Sequence, residues 1–106
     1  MNSNISWSEA INDCKRQGEP WALATVINTQ GSSPRKAGSK MVITHDRSFD
    51  TIGGGQLEFA VQLKCRELLL TSEDSQDILH FPLAACTNQC CGGTVSVLVE
   101  IFCCTR

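Results

Sequence analysis

Little in these 106 residues points to a membrane or a nucleic acid. No apolar run approaches the roughly 20 residues needed to span a bilayer. The chain opens Met1-Asn2-Ser3-Asn4, without the basic stretch and apolar core of a secretory leader, so a cytosolic protein is expected. Aromatic residues make up 6%, the net charge is −2 and no long basic run occurs, which argues against nucleic acid as a partner. The usual catalytic sets are also missing. His45 falls in a turn and His80 in a strand, and neither has a serine or carboxylate at a spacing that marks it as a base.

Cysteine is the exception, with seven in the chain. Thiols stay reduced in the cytosol, so an odd count needs no leftover partner, and clustered cysteines point to metal, cofactor or redox chemistry rather than a disulfide framework. Hydrophobic residues at 42% and charged residues at 19% exclude a disordered or fibrous chain. The length allows one domain, burying roughly 60–70% of the surface its unfolded chain exposes.

Ser6-Trp7-Ser8-Glu9 has the form of a capping box, with Ile5 placed to staple onto Ala10. A helix is predicted over Trp7–Gln17, stopped by Gly18 and Pro20, with Ala10, Ile11 and Cys14 as its buried stripe. Strands are predicted at Trp21–Thr29, where the apolar run implies cover on both faces, at Lys40–Thr44 and at Phe49–Ile52. After Gly53-Gly54-Gly55, the stripe Leu57, Ala60, Val61, Lys64, Cys65 and Leu68 predicts a second helix. Thr71–Gln76 reads as a surface link and Asp77–Pro82 as a strand. Thr94–Phe102 is a clear strand, in which Val95, Val97, Val99 and Ile101 alternate with Ser96, Leu98 and Glu100. The order predicts a single α+β domain of two helices and about five strands, mostly antiparallel or mixed.

Three segments exceed what such a fold requires. The glycine triad lies at a strand-to-helix junction, where close backbone approach and free amides suit an anion such as a phosphate; it matches neither G-x-G-x-x-G nor a Walker A, and a plain tight turn is an equal reading. Glu58, in the first turn of that helix, could hold a ligand group or simply offset the dipole. Residues 31–40 are longer than a hairpin needs and interleave Ser32, Ser33, Arg35, Lys36, Ser39 and Lys40, a set able to collect around phosphate or carboxylate, or to serve as a solvated connector. The third segment contains Cys86, Cys90 and Cys91 before Gly92-Gly93, where backbone amides can stabilise a thiolate. As a zinc site it would need a further ligand such as His80, or Cys103 and Cys104. Cys14 and Cys65, on helix stripes, read as core residues.

Taken together, Trp21–Arg35, Gly38-Ser39-Lys40-Met41, Ile52–Glu58 and Gln89–Val95 resemble, in order and over nearly the whole chain, the N-terminal domain of the XdhC/CoxI family. The resemblance implies a maturation factor that binds molybdenum cofactor (molybdopterin), protects it during sulfuration and delivers it to an apo molybdenum hydroxylase such as xanthine dehydrogenase, without turnover of its own. On that reading Ser32, Ser33, Arg35, Gly54, Gly55 and Glu58 serve the phosphate and pterin, and Cys90 or Cys91 the molybdenum end. A cysteine desulfurase is a further expected partner. Family members typically continue into a Rossmann-like domain, whereas residues 1–106 match the first domain alone. A homodimer is expected, because one small domain covers a large pterin poorly. Two other readings stay open: a sulfur-transfer or redox protein using Cys90 or Cys91 with Cys86, and an interaction module whose zinc is held by Cys86, Cys90 and two of His80, Cys91, Cys103 and Cys104.

Overall fold

Residues 6–30, 37–53, 55–71, 73–82 and 94–103 are described by the computed structural model. The first helix, α1 (Trp7–Gln17), opens with the capping box foreseen from its sequence. Ser6 Oγ accepts the Glu9 N–H at 3.4 Å, and the Ser6 N–H donates to Glu9 Oε1 at 3.4 Å. Gly18 closes it at φ 70°, donating its N–H to the carbonyls of Cys14 and Lys15. Ile5, the expected staple, lies outside the described residues.

Strands β1 (Trp21–Gln30), β2 (Lys40–Ile43) and β3 (Ser48–Asp50) form an antiparallel meander. Helix α2 (Gly55–Leu69) then crosses one face of the sheet to its far edge, where β4 (Ser75–Pro82) and β5 (Thr94–Phe102) complete it. The order is β3-β2-β1-β5-β4, with every pairing antiparallel. The predicted α+β class holds, and the strand directions resolve as antiparallel throughout.

Alternation along the strands sends side chains to two separate cores. On the face toward α2, Ala22, Ala24 and Val26 of β1, Met41 and Ile43 of β2, and Val95, Val97, Val99 and Ile101 of β5 pack against Leu57, Val61, Cys65 and Leu69. Each buried valine there contributes roughly 1.5–3 kcal/mol. On the opposite face, Trp21, Val42 and Phe49 pack under Ala10 and Cys14 of α1, and Trp21 stacks on Phe102 with ring centroids 4.3 Å apart. Strand β1, at the centre of the sheet, thus supplies both cores, as its apolar run predicts.

Several boundaries differ from those predicted. The second strand stops at Ile43, one residue early. There Thr44 turns the chain by donating its N–H to the Arg47 carbonyl at 2.9 Å and accepting the Arg47 N–H on Oγ1 at 3.0 Å. The third strand ends at Asp50 because that residue adopts a left-handed backbone with φ 68°. Its carboxylate is committed locally, accepting the Thr51 N–H at 2.9 Å and, from α1, the Trp7 N–H at 3.2 Å. Leu69 completes the fully buried row of α2 with Leu57, Val61 and Cys65, while Leu68 packs partly buried against the same core. The fourth strand begins at Ser75, inside the expected polar link, since pairing with Ile101 and Glu100 uses backbone groups and leaves the Ser75 and Gln76 side chains exposed. Along this edge strand the Ile78 N–H is taken by Asp77 Oδ1 at 2.9 Å, which removes one donor from further strand pairing.

Arg66 of α2 ties helix to sheet. Its Nε donates to the Thr44 carbonyl at 3.0 Å, and its terminal nitrogens reach the Arg47 carbonyl and Gln62 Oε1, each at 3.2 Å. Among the described residues, no helix is long and apolar enough to cross a membrane.

Candidate functional site

Sheet register sets side by side the strand ends that flank two of the three segments singled out from the sequence, and the strand leading into the third points in the same direction. Gln30, the last residue of β1, pairs with Thr94, the first of β5, and Thr94 pairs with Pro82, the last of β4. The connections after β1 and β4 therefore leave the sheet side by side. The chain returns into β2 at the same end, with the Gly38 N–H on the Val26 carbonyl at 2.6 Å and the Val26 N–H on the Ser39 carbonyl at 2.9 Å. Asp50 pairs with Met41, whose β1 partner Ala24 pairs in turn with Val99, so the turn into α2 opens in the same direction but five β5 residues, roughly 17 Å, short of Thr94.

The described part of that turn is tightly bonded. Gly53 has φ 120° and Gly55 φ 72°, values that a residue with a Cβ adopts only under strain. The Gly53 N–H donates to Thr51 Oγ1 at 3.0 Å, and the Thr51 hydroxyl donates to Glu58 Oε1 at 2.5 Å. The same carboxylate oxygen accepts the Ile52 N–H at 3.3 Å. The amides of Gly55, Gln56 and Leu57 open α2 ahead of the first intrahelical acceptors, where a helix dipole favours an anion. Sequence reasoning found Gly55 and Glu58 but missed Asp50 and Thr51. Their signal was an Asp-Thr pair just before glycines, a combination whose short polar side chains bond neighbouring amides.

Ser32, Ser33, Arg35, Gly54, Cys90 and Cys91 lie outside the described residues, as do Lys36, Cys86 and Cys104. Of the proposed zinc ligands, His80 and Cys103 are described, and they do not meet. His80 pairs with Ser96 and binds its hydroxyl through Nδ1 at 3.0 Å, whereas Cys103 follows Phe102 at the other end of β5. Seven residues of strand separate Ser96 from Cys103, roughly 23 Å at 3.3 Å per residue, so the two cannot share one zinc ion. The Cys103 N–H is instead tied to Asp74 Oδ1 at 2.7 Å. Among the described residues, no three His, Cys, Asp or Glu side chains group closely enough to hold a metal.

Cys14 and Cys65 are buried, as their helical spacing predicts. Burial pushes the Cys65 thiol up to about 12, against a smaller opposing pull from the Arg66 cation. It is therefore a protonated core residue at neutral pH, unsuited to bind metal or attack sulfur.

No curated protein sequence matches this chain. Among solved structures, a xanthine dehydrogenase from Bacillus halodurans, known from its crystal structure, matches with a TM-score of 0.68 and 26% sequence identity. The match covers 92% of this chain and 30% of the other, so the chain spans about a third of that protein's length. The sequence pattern of the XdhC and CoxI family matches residues 14–82, from the last turn of α1 through the end of β4, and the chain belongs to that family.

Proposed function

We propose that this chain acts as an accessory factor in the maturation of a molybdenum enzyme, carrying molybdenum cofactor as cargo and passing it to an apo hydroxylase of the xanthine dehydrogenase kind. Membership of the XdhC and CoxI family supports the accessory role, and the likeness to a protein named as a xanthine dehydrogenase supports the class of enzyme served. The observation that carries the carrier reading is the register of the strand ends: β1, which leads into the connection bearing Ser32, Ser33 and Arg35, and β4, which leads into the connection bearing Cys90 and Cys91, end side by side, and β3 leads into the glycine turn in the same direction, five β5 residues short of that end.

The cargo has two chemically different ends. Its phosphate and pterin suit hydroxyls, backbone amides and a guanidinium fork, the roles assigned to Ser32, Ser33, Arg35, Gly54 and Gly55. Its soft, sulfur-ligated molybdenum suits a thiolate, the role assigned to Cys90 or Cys91. Holding such a group requires no turnover, and no residue is assigned a catalytic role.

The test is retention. Purified under reducing conditions, mixed with released molybdenum cofactor and passed through gel filtration, the protein peak is expected to carry pterin fluorescence and molybdenum in a fixed ratio to chain. Zinc near one per chain with no pterin would sink the carrier reading in favour of a zinc module.

A further inference from the structure

Glu58 lies within the first turn of α2, where an acidic side chain ordinarily does no more than offset the helix dipole. Here it turns back onto the preceding segment. Oε1 collects both the Thr51 hydroxyl, at 2.5 Å, and the Ile52 N–H, at 3.3 Å, while Thr51 Oγ1 takes the Gly53 N–H at 3.0 Å. Two consecutive backbone donors, at Ile52 and Gly53, are thus satisfied by side chains whose mutual bond closes the set. Ile52 is anchored at the same time by its side chain, which is 1% exposed and packed in the α2-side core. Asp50 fixes the upstream side of the turn through the amides of Thr51 and Trp7.

We propose that Glu58 is a positioning residue: it holds the Thr51–Gly53 turn, and with it the start of α2, in the shape that receives the cargo, and does not itself contact the cargo. The inference rests on the carrier reading and replaces, for this residue, the ligand contact expected from sequence. The chemistry favours positioning. What the bonds to Thr51 and Ile52 require of Glu58 is an acceptor oxygen; its negative charge strengthens them but is not needed to form them. A carboxylate beside the amides that would receive a phosphate opposes that anion. Glutamine keeps the acceptor oxygen and removes the charge, while alanine removes both.

The experiment compares Glu58→Gln, Glu58→Ala and Thr51→Val in the whole chain, by amide hydrogen exchange at Ile52 and Gly53 and by fluorescence titration with molybdopterin. Glu58→Gln is expected to keep both amides protected and to bind molybdopterin at least as tightly as the unmodified chain. Glu58→Ala is expected to lose protection at both amides and about tenfold in affinity, the fold-change that one hydrogen bond is worth. Thr51→Val, which leaves Glu58 in place, is expected to lose protection at Gly53. Glu58→Gln weakening binding as much as Glu58→Ala, with its amides still protected, would overturn the proposal by showing direct contact. Unchanged exchange in both Glu58→Ala and Thr51→Val would overturn it by showing that these bonds do not hold the turn. Failure of the unmodified chain to bind molybdopterin refutes the carrier reading and the receiving role together, whereas the exchange pattern separately decides whether Glu58 holds the turn.

Discussion

The Cys65 thiol should make this protein lose stability in mild alkali by an amount that its burial sets. Its side chain is 0% exposed and packs with Val61 and Leu69 in the core between α2 and the sheet. In the unfolded chain the thiol returns to its ordinary value of 9.0, whereas in the fold it is pushed up to about 12, chiefly by desolvation. The folded state therefore holds this proton more tightly, and the associated stability is complete below pH 9 and drains away as pH rises from 9 toward 12. At pH 10 the unfolded thiol is roughly 90% ionised and the folded one about 1%, a difference of about 1 kcal/mol; the full gap of about three pH units amounts to about 4 kcal/mol. Urea denaturation at pH 8 and pH 10 measures this when the chain is compared with Cys65→Ala. The variant starts less stable because a buried sulfur is removed, but that offset is the same at both pH values. The unmodified chain should lose about 1 kcal/mol more than the variant between the two. Equal losses in the two proteins would refute the assignment of a deeply buried, protonated Cys65.

Further outcomes follow from individual contacts. Arg66→Met should cost about 2 kcal/mol, because the Thr44 carbonyl loses the Arg66 Nε donor, and should lower Tm by roughly 9 °C in a domain of this size; a thermal melt shifted by less than about 2 °C would contradict the clamp. If Cys91 holds the molybdenum end of the cargo, Cys91→Ser should reduce cofactor retained through gel filtration far more than Cys65→Ser, and equal effects would remove Cys91 from the site. Arg35→Ala should weaken molybdopterin binding by about 1.5–3 kcal/mol if its guanidinium forms a charge-assisted bond to the phosphate, and unchanged affinity in the fluorescence titration would make residues 31–40 a connector.

Much of this protein could be read along the chain, because the interactions concerned are local. The capping box of α1 spans four residues, the alternation of Val95, Val97, Val99 and Ile101 needs only the period of a strand, and Cys14 and Cys65 declare their burial through helical spacing. The family resemblance was legible for the same reason, being carried by short contiguous motifs, three of which fall within the matched residues 14–82 while Gln89–Val95 lies beyond them. Other features depend on contacts between distant parts of the chain. That β5 inserts between β1 and β4, and so sets Gln30, Thr94 and Pro82 side by side, follows from strand pairing across more than sixty residues of sequence. The separation of His80 from Cys103, which removes them as joint zinc ligands, follows from the same register. The Asp50 carboxylate accepts from an amide forty-three positions away, and Glu58 could pass for a dipole-compensating residue until its oxygen was seen on Thr51 and Ile52. Periodicity reports which face of an element is apolar. Which groups then come within hydrogen-bonding distance is settled when the faces pack, since those bonds join residues that no local pattern links.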